Sequence, residues 1–106
     1  MGLFDFMKKP DIDQGVKDFN NTAGAVLLDV RTPQEYAGGR IPGSKNLPLQ
    51  NIAKAESVVK DKSTPLFVYC YSGARSAQAV SALKQMGYTN VTNIGGIASY
   101  SGKVEK

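Results

Sequence analysis

A change of hydrophobic period in the middle of the chain constrains the fold more than any other feature. Leu66-Phe-Val-Tyr69 is a short apolar run rich in strand-favouring residues, and Pro65 punctuates its start. From Ser76 to Met86 the spacing turns helical, with Val80, Leu83 and Met86 recurring and Gly87 as a stop signal. Cys70 to Arg75 must therefore join a buried strand to the first turn of a helix. The joint sets the only cysteine of the chain at the positive end of a helix dipole, among N–H groups that lack helical partners.

A lone cysteine at a strand end is ordinarily an inert core residue. The strand–loop–helix setting reverses that expectation, because orphan amides and the dipole favour thiolate over thiol. Helix-start cysteines reach pKa values of about 3.5–7.5, against about 8.5 for a free thiol. Gly73 permits a tight turn in which several amides converge on one anion. Arg75 adds a permanent charge and a planar fork of donors at the rim. Cys70 reads as a reactive thiolate.

The sequence has no histidine, which removes every Cys–His and Ser–His–Asp arrangement. With one cysteine it also predicts no internal disulfide and no zinc or transition-metal site, and no cofactor is called for. Any nucleophile must be activated by backbone dipoles and cations alone.

At 42% hydrophobic and 21% charged, the 106 residues predict one globular domain over 1–106, with a core at about 10–100 and a polar, frayed tail from Ser101. The net charge of +4 comes from scattered lysines without interleaved aromatics, a pattern that fits a small anionic substrate better than nucleic acid. No apolar run approaches the ~20 residues that span a bilayer. Met1 to Pro10 places its apolar residues before its lysines and lacks an extended hydrophobic core, so it does not read as a secretory signal. Phe6 stands where myristoylation of Gly2 would want Ser or Thr. The expected address is cytoplasmic.

Along the chain, Ile12, Val16 and Phe19 share one face of a helix capped by Asp11. Ala25 to Val30 is an apolar run of strand length, broken only by Asp29, which either caps the next turn or lines a site. Thr32-Pro-Gln-Glu35 is a capping box for a short helix that Gly38-Gly39 ends. Arg40 to Gly43 predicts a turn, Asn46-Leu47-Pro48 a brief edge strand and Leu49 to Val59 an amphipathic helix. Tyr88 to Ile94 gives the last strand, Gly95-Gly96 turns out of it, and Ile97 to Tyr100 adds a helical turn. Alternating strands and helices imply an α/β fold, a mainly parallel sheet with helices on both faces, and a site beyond the carboxyl ends of the strands. Asp29-Val-Arg31, Cys70 to Arg75 and Gly95-Gly96 all fall at that end.

Several segments together resemble the rhodanese family: Leu28-Asp-Val-Arg31 with Glu35-Tyr36, Gly39-Arg-Ile-Pro-Gly-Ser44, Cys70-Tyr-Ser-Gly-Ala-Arg75-Ser, and Gly87-Tyr followed by Val91 to Gly96. The likeness runs from about Val26 to Tyr100, in order, and is to single-domain members. It implies sulfur transfer in two displacements. The loop cysteine takes the outer sulfur of a donor such as thiosulfate or a protein persulfide, holds it as a persulfide, and passes it to cyanide or a thiol. Carried over, Cys70 is the nucleophile, the amides of Tyr71, Ser72, Gly73, Ala74, Arg75 and Ser76 cradle the anionic sulfur, and Arg75 holds donor anions or the persulfide. Asp29 and Arg31 are read as a pair that fixes the loop.

Departures from the family pattern bear on the donor. Tyr71 follows the cysteine where thiosulfate-active members commonly carry Arg, which leaves one cation fewer and keeps open a sulfur-carrier or partner-binding role without turnover. Arg40 replaces a frequent His, and Tyr100 stands where an aromatic packs after the Gly-Gly turn. Cysteine phosphatases and arsenate reductases of related fold are the other alternative. Only four residues separate Cys70 from Arg75, one fewer than in those enzymes, and Ser76 occupies the place of their arginine. The smaller loop suits a sulfur atom better than a phosphoryl group.

Overall fold

The structure, a computed structural model, describes residues 10–106, so the reading of Met1 to Lys9 as neither signal nor acylation site lies outside the described residues. Helix α1, Ile12–Asn20, begins where the Asp11 carboxylate accepts from the amides of Asp13 and Gln14. Strand β1, Val26–Asp29, leads to helix α2, Pro33–Gly38, which starts on the capping box that its spacing predicts. Strand β2, Ser44–Asn46, is followed by a 3-10 turn over Leu49–Lys54 and helix α3, Ala55–Val58. Strand β3, Leu66–Cys70, helix α4, Ala74–Gln85, and strand β4, Val91–Gly96, complete the frame.

The four strands are all parallel, in the order β2-β1-β3-β4. Strand alternation divides their side chains between two cores. Leu28, Val30, Leu66, Val68 and Cys70 face α4 and the segment after β2, meeting Leu83, Ala55 and Val59. Leu27, Phe67 and Tyr69 face the other way, onto Ile12, Val16 and Phe19 of α1. The expected α/β architecture with helices on both faces is the one observed. Because β1 and β3 are the inner strands, both are covered above and below, which explains apolar runs that only Asp29 interrupts.

Four local expectations differ. The edge strand lies at Ser44–Asn46, two residues before its predicted place. Leu47 still donates to the Asp29 carbonyl, but Pro48 has no N–H with which to continue the ladder. The helix expected over Leu49 to Val59 breaks at Asn51 (φ −109°, ψ 15°), so a 3-10 turn precedes one turn of α-helix. Its face survives the break: Leu49, Ile52, Ala55 and Val59 all pack into the α4-side core. Gly95 and Gly96 do not turn out of the sheet but pair with Tyr69 and Cys70 as the last residues of β4, after a bulge. The tail is tied down, since Glu105 and Arg40 exchange two backbone hydrogen bonds of 2.9 Å.

Candidate active site

Cys70 ends β3, so the pleat aims its side chain at the face that α4 covers, beneath the first turn of that helix. Gly73 caps α4 in the left-handed region (φ 104°), where a side chain would be strained. That turn folds the chain back, and the Gly73 amide donates to Cys70 Sγ at 2.9 Å. Ser76, fully buried one turn into α4, sets its hydroxyl 3.4 Å from the same sulfur.

Burial works against the thiolate and is the largest single influence on Cys70. Together, the Ser76 hydroxyl and the amides of Ser76, Gly73 and Ser72 outweigh it and hold the thiol below its ordinary pKa. No imidazole takes part. Although Cys70 is only 1% exposed, its sulfur points at polar groups of the loop and is not sealed among hydrocarbon.

The remaining loop residues divide by exposure. Tyr71 and Ala74 face solvent, as does Ser72, while Arg75 is half-buried. The carbonyl of Tyr71 accepts from the amide of Ala98, and it lies so close over Gly96 that any side chain at 96 would collide with it. The end of β4 is thus a floor on which the loop rests.

Sequence reasoning missed Asn93. The β-bulge between β3 and β4 turns its amide group toward the loop. Its Oδ1 accepts from Ser76 Oγ at 2.7 Å and from the Gly95 amide at 2.9 Å, while its Nδ2 donates to the Gly73 carbonyl at 3.3 Å. One side chain therefore braces the hydroxyl, the cap of α4 and the bulge. An Asn before a Gly pair inside an apolar strand run was the available signal.

Arg75 is placed differently from the expectation that its fork faces a donor anion. Both arms are engaged by Glu35 of α2, Nη1 to Oε1 at 2.7 Å and Nη2 to Oε2 at 3.0 Å. The guanidinium, aided by the backbone and hydroxyl of Thr32, brings the Glu35 carboxyl down to about 2 against a smaller opposing effect of burial. Asp29 and Arg31 form a buried pair at 2.7 Å, and Arg31 also donates to the Gly39 carbonyl. These bonds tie the end of β1 to the corner after α2, and none of the hydrogen bonds of either side chain reaches Cys70–Ser76.

Beside the loop lies a cavity of about 240 Å³ lined by Val30, Thr32, Pro48, Leu49, Gln50 and Arg75. Val30 and Leu49 belong to the same packed cluster as Cys70, so the cavity opens on the thiol's side of the sheet. Among the described residues no cluster of His, Cys, Asp and Glu could hold a metal ion, and no helix is long and apolar enough to cross a membrane.

The model of the rhodanese-like domain matches residues 13–103. The chain belongs to the rhodanese-like family. It is 39% identical to the thiosulfate sulfurtransferase PspE of Escherichia coli over 66% of this chain and 68% of that one. It is 41% identical to a sulfurtransferase of Allochromatium vinosum over 76% of each. Of the length of three bacterial relatives the chain spans 64%, 68% and 76%. Among solved structures, a rhodanese from E. coli with bound anions is 35% identical, covers 77% of this chain and 98% of its own, and superposes with a TM-score of 0.72.

Proposed function

We propose that this rhodanese-like protein is a sulfurtransferase that carries sulfane sulfur on Cys70. The single observation that supports this most is the thiol's surroundings: an amide at 2.9 Å and a hydroxyl at 3.4 Å favour the anionic form of the sulfur without a general base. A soft thiolate needs no proton removed at the moment it attacks sulfur.

In the first displacement the Cys70 thiolate attacks the outer sulfur of thiosulfate or of a persulfide. The new Sγ–S bond forms as the donor's S–S bond breaks, and its electron pair leaves with sulfite or with the donor thiolate. In the second, cyanide or a thiolate takes the outer sulfur and returns the electron pair to Sγ. The amides of Tyr71 to Ser76 receive the charge in both steps, and no metal or organic cofactor is required. This chemistry suits the cytoplasm, where thiols are kept reduced.

A carrier role without turnover is favoured by one observation, the 1% exposure of Cys70, which would shield a bound persulfide from bulk thiols. The test is intact mass before and after thiosulfate, with thiocyanate followed in the presence of cyanide. Addition of one sulfur atom and catalytic thiocyanate, both lost in Cys70→Ser, is the expected result. Addition without turnover selects the carrier role, and equal product with Cys70→Ser overturns both.

A further inference from the structure

We propose that the free edge of β4 is a docking site for an extended, basic segment of a partner protein, which joins the sheet as a further strand beside α1. The site stands whether or not Cys70 turns over sulfur.

Among the described residues β4 is bonded on one side only, to β3, so the amides and carbonyls of its outer side have no sheet partner. A row of this kind accepts an incoming strand through main-chain hydrogen bonds. The two edges of the sheet differ in how they are guarded. β2 is three residues long and carries the exposed Lys45, a charge that discourages pairing. β4 is six residues long. Pro10 lies alongside Gly95, 3.5 Å from where a Cβ would stand, so the open stretch is residues 91–94, with Thr92 exposed at its centre.

Helix α1 makes the second wall. Its Gly15 sits directly on Ile94 of β4. A groove of about 190 Å³ runs between the Asp11 cap, Gln14 and Asp18 on one side and Thr92, Asn93 and Ile94 on the other. Positions 11, 14 and 18 share one face of the helix. An added strand thus finds backbone partners along β4 and a surface for its alternate side chains along α1.

Charge selects the occupant. Among the described residues that line the groove, Asp11 and Asp18 alone are ionisable, in a chain of net charge +4. Seven helical positions separate them, about 10 Å of rise, which is roughly the span of three strand residues. Lysines or arginines at alternate positions of an extended segment point to one face, and their long side chains reach both carboxylates. A second copy of this chain suits the groove poorly, since pairing two β4 edges brings like charges together. At Pro10 and Asn93 the groove meets a cavity of about 320 Å³ that Ser72, Gly73 and Ser99 also line, so an added strand leads toward the cysteine loop.

The probe is a fluorescein-labelled peptide, Thr-Val-Lys-Val-Lys-Val-Thr, added to the full chain and followed by anisotropy and by amide chemical shifts. The peptide shifts the amides of Gln14, Thr92 and Asn93 and leaves those of β2 in place. Exchanging both lysines for glutamate abolishes binding. N-methylation of alternate peptide amides weakens it about tenfold, as loss of one or two net hydrogen bonds does. Asp18→Lys, at an exposed position, weakens the lysine peptide about tenfold through lost attraction and new repulsion, and it admits the glutamate peptide. Glu56→Lys, the same reversal on the exposed partner of Lys62, changes neither.

Equal binding of the two peptides, full retention by the N-methylated one, or shifts confined to β2 overturns the proposal. Shifts at Thr92 that grow with protein concentration in the absence of peptide give the edge to a second copy and overturn it as well.

Discussion

Ser76→Ala isolates the side-chain share of thiolate stabilisation at Cys70. Ser76 Oγ has a single proton and four acceptors within reach: Cys70 Sγ at 3.4 Å, Asn93 Oδ1 at 2.7 Å, and the carbonyls of Gly73 and Gly95 at 3.0 and 3.5 Å. A hydrogen bond to a charged group contributes about 1.5–3 kcal/mol. The long distance and the competition from Asn93 place this one at the lower end, ~1.4 kcal/mol, which is about one pKa unit. The pH dependence of iodoacetamide alkylation reads it directly. In wild type the reaction rises through a midpoint below the ordinary thiol value, because the folded-state pKa is depressed. The variant's midpoint moves up by about one unit. The sign extends to stability. Thiolate stabilisation is present above the unfolded-state pKa of about 8.5 and is lost as pH falls through the folded value. Wild type and Ser76→Ala therefore differ more in unfolding free energy near pH 9 than near pH 5. Alanine leaves no overpacking, and Asn93 Oδ1 keeps its bond from the Gly95 amide. A midpoint that stays in place or moves down refutes the assignment of Ser76.

Two further substitutions separate the loop's floor from its neighbouring wall. Gly96→Ala drives a methyl group into the Tyr71 carbonyl, so overpacking costs about 1–3 kcal/mol in urea unfolding and displaces the loop; the alkylation midpoint rises with it, and a variant as stable and as reactive as wild type refutes the close approach. Arg31→Leu leaves Asp29 buried without its cation, a loss of about 3–5 kcal/mol, yet the alkylation midpoint of the folded variant stays at the wild-type value, because the bonds of Arg31 go to Asp29 and Gly39. A midpoint displaced as far as in Ser76→Ala would show that the pair holds the loop after all.

Much of the frame was legible in local pattern. The apolar runs at Val26–Asp29, interrupted only by Asp29 itself, and at Leu66–Cys70 are those of strands covered on both faces, and they proved to be the two inner strands. The capping box at Thr32 and Glu35 formed as its spacing requires, since its two reciprocal bonds lie within four residues. The Cys70 loop was legible for the same reason: a strand that must become a helix within a few residues leaves amides facing whatever side chain ends the strand. Elsewhere local pattern misled. The face of Leu49 to Val59 was right but its helix was not, because Pro48 and Asn51 break the backbone while packing keeps the side chains aligned. The Gly95-Gly96 pair reads as a turn in isolation, but it stays in the sheet because the loop above it tolerates no side chain at 96.

The sequence by itself singled out the one thiol and the backbone dipoles beside it, because one cysteine, no histidine and a change of period put that sulfur at the start of a helix with no imidazole to serve it. Only the tertiary structure decided what surrounds that sulfur. Asn93 reaches Ser76 across 17 positions of chain, and Glu35 reaches Arg75 across 40. Neither contact follows from any periodicity, for both depend on parallel strands bringing their carboxyl ends to one edge of the sheet. That convergence turns an apparently free cation into a neutral pair.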